Sequence, residues 1–330
     1  MKDKLIKFVR WPAFTSFVLF VAFLIINQII TPGYLDNLYI TTFLGSYGPM
    51  IIACIGLSVV LIAGGMDISL GAMMGLVNVV FVTLAEKGFS IPATIIISLL
   101  VGIVCGLLNA VFVGILRITP ILTTLATSYI FNGIALFIMP SPTGTIQKDL
   151  IKWFILWLDG YGAPLLFIII AIATWLVVKR TKLGKYIYAI GENKESAYVS
   201  GVPVNATTFF TYAYSGFLYA IAAICMTTYC SGGDASIADA QTMKCIIASV
   251  IGGVLLVGGI GDAVGACFGA VSLGLMITTI LAVVRSTYFT DFAQGILMLL
   301  AVLGCTLINR YIARKTAGKR EVRKDVESAE

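Results

Sequence analysis

The chain has 330 residues, 59% of them hydrophobic and only 12% charged, with a net charge of +6 and no histidine. A soluble domain carries about 25% charged residues, so this composition excludes a soluble fold and points to an all-α, polytopic membrane protein. The missing histidine removes the commonest general base and metal ligand, and the modest positive balance calls for no nucleic-acid partner.

Windows of about 20 apolar residues mark spans near 12–31, 46–63, 68–85, 91–114, 120–139, 162–178, 206–230, 244–260, 263–283 and 291–309, about ten in all. The first follows a basic stretch without a small-residue cleavage site and reads as a retained helix rather than a signal peptide. With the N-terminus inside, 17 of the 22 Lys and Arg fall on the cytoplasmic side, the five others being Lys87, Lys148, Lys152, Lys244 and Arg285. Basic residues are retained on that side, which places both termini in the cytoplasm. Residues 1–310 are then a transmembrane domain with a cytoplasmic loop at 179–205, and 311–330 a charged cytoplasmic tail.

Between the second and third spans, Gly64-Gly65-Met66-Asp67-Ile68-Ser69-Leu70-Gly71 sets a carboxylate among glycines. Removing a carboxylate from water costs about 2.5–3.5 kcal/mol at a helix centre, so Asp67 needs water or a partner. In the third span Asp67, Gly71, Gly75 and Asn78 share one face. Gly102, Gly106, Asn109, Ala110 and Gly114 do so in the fourth, and Thr124, Ser128 and Asn132 in the fifth. Close packing is the default reading of such faces. The alternative is that Asp67, Ser69, Asn78, Asn109, Thr124, Ser128 and Asn132 line or gate a polar pathway, since amides and hydroxyls both donate and accept.

Further along, Leu150, Trp153, Phe154, Trp157 and Leu158 have the spacing of an interfacial helix. In the 179–205 loop, Asn193 and Gly201 are placed to cap a short helix at its two ends. Gly258-Gly259-Ile260-Gly261-Asp262-Ala263-Val264-Gly265 echoes the 64–71 segment with one residue inserted, an internal repeat of the kind transporters contain. Gln294 is a lone polar residue in the tenth span, the seven cysteines read as small apolar packing residues, and Asp67, Asp262 and Asp291 are too few for a chained proton relay. No phosphate-cradling Gly-x-x-x-x-Gly-Lys-Ser/Thr loop occurs.

Three segments resemble one family: 64–71, Arg117-Ile118-Thr119-Pro120-Ile121-Leu122-Thr123-Thr124-Leu125, and Gly191-Glu192-Asn193 through Ser200-Gly201-Val202. They look like the permease subunit of bacterial ABC importers for ribose, xylose, arabinose, galactose and the related autoinducer-2, located in the inner membrane. The resemblance implies a second permease, identical or not, a cytoplasmic ATPase subunit that binds the ATP, an extracytoplasmic solute-binding protein, and no cofactor or enzymatic activity in this chain. It assigns ATPase coupling to Gly191, Glu192, Asn193, Ser196, Ala197, Ser200 and Gly201. Two positions depart from the family pattern: Lys244, where a carboxylate is usual, and Glu192, where Gly is common. Competing readings are a permease for nucleosides or branched-chain amino acids, an ion-coupled secondary transporter, and an intramembrane enzyme, the last opposed by the absent histidine.

Overall fold

The computed structural model describes residues 14–146, 162–284, 288–293, 295–296, 299 and 303. Eleven named helices cover most of them: α1 (Phe14–Ile30), α2 (Asn37–Ile62), α3 (Leu70–Glu86), α4 (Ile91–Ala110), α5 (Pro120–Ile138), α6 (Gly162–Arg180), α7 (Lys182–Glu192), α8 (Lys194–Val199), α9 (Val204–Cys230), α10 (Gln241–Ile251) and α11 (Ala263–Val284). A π-helical turn over Val111–Ile115 prolongs α4. The described residues contain no regular strand, only an isolated bridge between Thr143 and Gly233. Among the described residues five segments are long and apolar enough to cross a membrane: Leu38–Ile62, Ile91–Ile115, Pro120–Ile138, Val204–Cys230 and Ala263–Val284.

The local signals are ordinary ones. Proline opens α4 and α5 in the first turn, where its missing N–H removes no helical bond. Apolar side chains cover the helices all round, so the membrane supplies no hydrophobic drive between them, and contact depends on close packing and polar links. The glycine faces read from the sequence do this packing. Gly102 on α4 meets Gly216 on α9 so closely that a methyl on either would overlap the other's carbonyl, and Gly71 and Gly75 of α3 press on the carbonyls of Ala238 and Ala235. Asn27 of α1 supplies a polar link, donating to the Leu275 carbonyl at 3.0 Å and the Thr279 hydroxyl at 2.8 Å on α11.

At the centre, α9 packs on α4, α2 and α3. Met50–Ile62 of α2 is buried along its whole length, as is Leu70–Val79 of α3. By contrast, α5 turns Ile121, Leu122, Tyr129 and Phe137 outward.

Two expectations change. The eighth span, read as a helix over 244–260, is helical only over Gln241–Ile251. Eleven residues rise about 16 Å, half of a hydrocarbon core of about 30 Å. Gly253, Gly258, Gly259 and Gly261 then take positive φ values of 80°, 96°, 73° and 152°, which no helix accommodates. The 179–205 loop holds two helices, because Thr181 caps α7 by accepting from the Gly184 N–H at 3.2 Å, and Gly184, Ile187 and Ile190 give it a buried face. The 150–158 segment, Gln294 and the 311–330 tail lie outside the described residues.

Candidate passage wall and coupling face

α2 stops where Gly64 adopts φ 73° and the Gly64 and Gly65 N–H groups bond back to Leu61 and Val60, both at 2.9 Å. The chain then runs without helical bonding through Met66–Ser69 although Asp67 and Ser69 are fully buried. Irregular backbone among membrane helices needs partners, and neighbouring threonines provide them. Thr124 of α5 accepts from the Ile68 N–H at 3.0 Å, and Thr242 of α10 accepts from the Gly71 N–H at 2.9 Å.

A directed chain of hydrogen bonds ends on Asp67. The Thr127 hydroxyl donates to Asn109 Oδ1 at 2.7 Å, the Asn109 amide donates to Ser69 Oγ at 2.9 Å, and Ser69 Oγ donates to Asp67 Oδ1 at 2.6 Å. The Ser69 N–H also donates to Oδ1, at 3.0 Å. Every link points its proton toward the carboxylate, the arrangement that stabilises a buried charge without a cation. Asp67 Oδ2 is buried and makes no hydrogen bond among the described residues, as is true of the nearby Tyr219 hydroxyl and of Tyr212.

Of the seven pathway candidates, the fold thus gathers Asp67, Ser69, Asn109 and Thr124. Asn78 sits elsewhere, donating to Thr227 Oγ1 at 2.8 Å and the Gly232 carbonyl at 3.1 Å while accepting from the Asp234 N–H at 2.8 Å. It pins the turn after α9. Ser128 bonds only its own helix, to the Leu125 carbonyl at 2.6 Å, and Asn132 is half-buried with no bond to its Oδ1. The inward face of α5 is Thr123, Thr124, Thr127, Phe131 and Ala135, one position off the 124–128–132 stripe. Sequence reasoning missed Thr127 and Thr242, and the four-residue step from Thr123 to Thr127 was the available signal for the first.

At one end of the bundle lie α7, α8 and both glycine breaks. Asn193 Oδ1 accepts from the Ser196 N–H at 2.8 Å to open α8, and Gly201 closes it at φ 80° with its N–H on the Tyr198 carbonyl at 3.0 Å. Glu192, Ser196 and Ser200 are exposed and Ala197 is buried. Exposed apolar side chains here are Val199 at 86% and Tyr198 at 73% on α8 and Val257 at 80% in the second break, none of which the sequence singled out. Beside them a cavity of about 780 Å³ is bordered by Arg117, Thr119, Lys194, Tyr198 and Asn205. Burial pushes the Lys194 ammonium below its ordinary pKa. Gly191 lies where a methyl would overlap the Ile62 carbonyl and sit 2.7 Å from the Gly259 nitrogen.

Comparison with known proteins decides the class. Residues 39–302 match the family described as "Branched-chain amino acid transport system / permease component". The chain belongs to this permease family. It is 32% identical over 267 residues to the autoinducer 2 import system permease protein LsrD of Salmonella paratyphi B, covering 76% of this chain and 80% of that one. The Photorhabdus temperata LsrD is 30% identical over 264 residues, with 76% and 79% covered, and that of Escherichia coli O9:H4 is 28% identical over 281, with 79% and 85% covered. No solved structure matches. The protein is therefore a multi-pass inner-membrane permease of an ABC importer, a passage-forming component rather than a catalyst, of a family that works with ATPase and solute-binding partners.

Proposed function

We propose that this permease carries a monosaccharide, or the sugar-like autoinducer-2, from an extracytoplasmic binding protein to the cytoplasm, driven by ATP bound in a separate subunit. The observation that carries the reading is the likeness to autoinducer 2 import permeases over 76% of the chain. The buried polar chain through Thr127, Asn109, Ser69 and Asp67 is bonded within itself and supports a fixed wall rather than a choice of cargo.

In this reading Asp67, Ser69, Asn109 and Thr124 hold the shape of one wall of the passage, and α8 is the contact for the ATPase. Asn193 and Gly201 set the ends of that helix, Ser196 and Ser200 keep its exposed face small, and Tyr198 and Val199 are the side chains that enter the partner. The face of α5 bearing Tyr129 and Phe137 meets the second permease. In this reading both termini are cytoplasmic, on the side of α7 and α8, which the distribution of Lys and Arg supports. The family's description favours one other cargo, a branched-chain amino acid.

The test is ATP hydrolysis by proteoliposomes containing this chain, its candidate ATPase and its binding protein, with monosaccharides, autoinducer-2 and leucine added in turn. Stimulation by a monosaccharide or autoinducer-2 is expected. Stimulation by leucine alone would replace the cargo.

A further inference from the structure

The two glycine breaks are distant in sequence, yet they touch backbone to backbone, with the end of α7 wedged against both. The Gly259 N–H donates to the Ile62 carbonyl at 2.9 Å, and a methyl on Gly258 would fall 2.6 Å from Gly64 Cα and 2.8 Å from the Gly191 carbonyl oxygen. Backbones this close move together or not at all. A polar latch fastens the α6–α7 corner to the second break. Tyr188 of α7 donates its hydroxyl to the Gly261 carbonyl at 2.7 Å. Lys179, at the end of α6, lies 4.6 Å over the Tyr188 ring, 3.5 Å from the same carbonyl and 3.9 Å from Asp262 Oδ2. Burial first, and the Asp262 carboxylate second, push the Tyr188 hydroxyl above its usual pKa, so it stays protonated and keeps donating. Asp262 is anchored in turn, its Oδ1 accepting from the Val264 N–H at 3.1 Å where α11 begins.

We propose that Lys179 and Tyr188 are positioning residues that transmit displacement of the α7–α8 segment to the second glycine break, and through the Gly259–Ile62 bond to the first. The proposal rests on the reading of α8 as the ATPase contact. A displacement of α8 reaches α7 through Asn193, which closes α7 and opens α8. α7 cannot slide without dragging Gly261, because Tyr188 holds that carbonyl. Gly261 and Asp262 lead straight into α11, and Ile62 is the last residue of α2. One movement at the face is thereby applied to the start of α11 and to the end of α2, from which the chain leads into the Asp67–Ser69 segment. Asp262 is left intact in the test because its other oxygen opens α11.

The experiment compares wild type, Lys179→Met, Tyr188→Phe and Lys179→Arg in the complete complex in proteoliposomes, reading solute imported per ATP hydrolysed together with the yield of assembled complex. Lys179→Met and Tyr188→Phe should assemble normally, hydrolyse ATP at the basal rate and import about fivefold less solute per ATP, the factor expected from losing one partly exposed polar link. Lys179→Arg, which keeps the positive charge over the Tyr188 ring, should stay closer to wild type than Lys179→Met. A coupled wild type with equally coupled Lys179→Met and Tyr188→Phe would overturn the latch alone. A wild-type complex whose hydrolysis ignores solute and binding protein would overturn the permease–ATPase reading, and the latch with it.

Discussion

After α2 the chain turns at Gly64 and buries Asp67 among neutral groups, whereas after α10 it turns at Gly253, Gly258 and Gly259 and sets the likewise buried Asp262 beside the partly exposed Lys179. The local chemistry is the same in both. Asp67 Oδ1 accepts from the N–H two residues on, at 3.0 Å, just before α3, and Asp262 Oδ1 does so at 3.1 Å as α11 begins. The surroundings differ. Asp67 Oδ1 ends a neutral relay from Ser69, Asn109 and Thr127, and Asp262 Oδ2 lies 3.9 Å from the partly exposed Lys179 ammonium. The extra residue in the second break, Gly261 at φ 152°, offers its carbonyl to the Tyr188 hydroxyl of α7, whereas in the first break the Met66 carbonyl accepts from the Thr124 hydroxyl of α5 at 3.2 Å. Repeated sequence therefore yields a repeated turn, while the neighbours decide whether its carboxylate is met by neutral donors or by a cation.

Substitutions separate the two. Gly258→Ala should be the most damaging, at about 3 kcal/mol or more, since a left-handed residue and a backbone overlap add. Gly64→Ala, where the nearest atom to a new methyl is 3.4 Å away, should show only the conformational penalty of about 1–2 kcal/mol. Thermal unfolding of the purified chain in detergent checks the pair, and equal losses would contradict the asymmetry. Asp67→Ala strands the Ser69 N–H and hydroxyl in the interior and should destabilise by about 2–3 kcal/mol, with Asp67→Asn losing less because it keeps an acceptor. Asn193→Ala removes one cap, about 1 kcal/mol, visible as faster hydrogen exchange over Lys194–Val199 with α3 unaffected. Ser128→Ala should change stability and uptake least, within about 0.5 kcal/mol, because its hydroxyl bonds only its own helix.

Much of this was legible from residues alone. The caps at Asn193 and Gly201, the packing glycines of α3 and α4, and the echo of the two breaks all follow from local rules that need no tertiary context. The half-length of α10 was not read, because a hydrophobic window runs on through Val254-Leu255-Leu256, although Gly252 caps the helix and Gly253 follows at φ 80°, the glycine stop that such a window overlooks. The grouping of Asp67, Ser69 and Asn109 was visible as small polar faces on separate spans. Which face of α5 turns toward them was not, since Thr123, Thr124, Thr127 and Ser128 are all short polar residues and helix rotation is settled by packing. Asn78 illustrates the same limit: its amide shares a stripe with Asp67, but the turn at Gly232 and Asp234 claims it.

The central claim, an ATP-driven passage for a small hydroxylated solute, is met most directly by measuring uptake of labelled ribose or autoinducer-2 into proteoliposomes carrying the whole complex, with ATP inside or absent and with ionophores added. The account predicts uptake that requires ATP and the binding protein and is indifferent to ionophores. Uptake that proceeds without ATP and collapses with the ion gradient would contradict it.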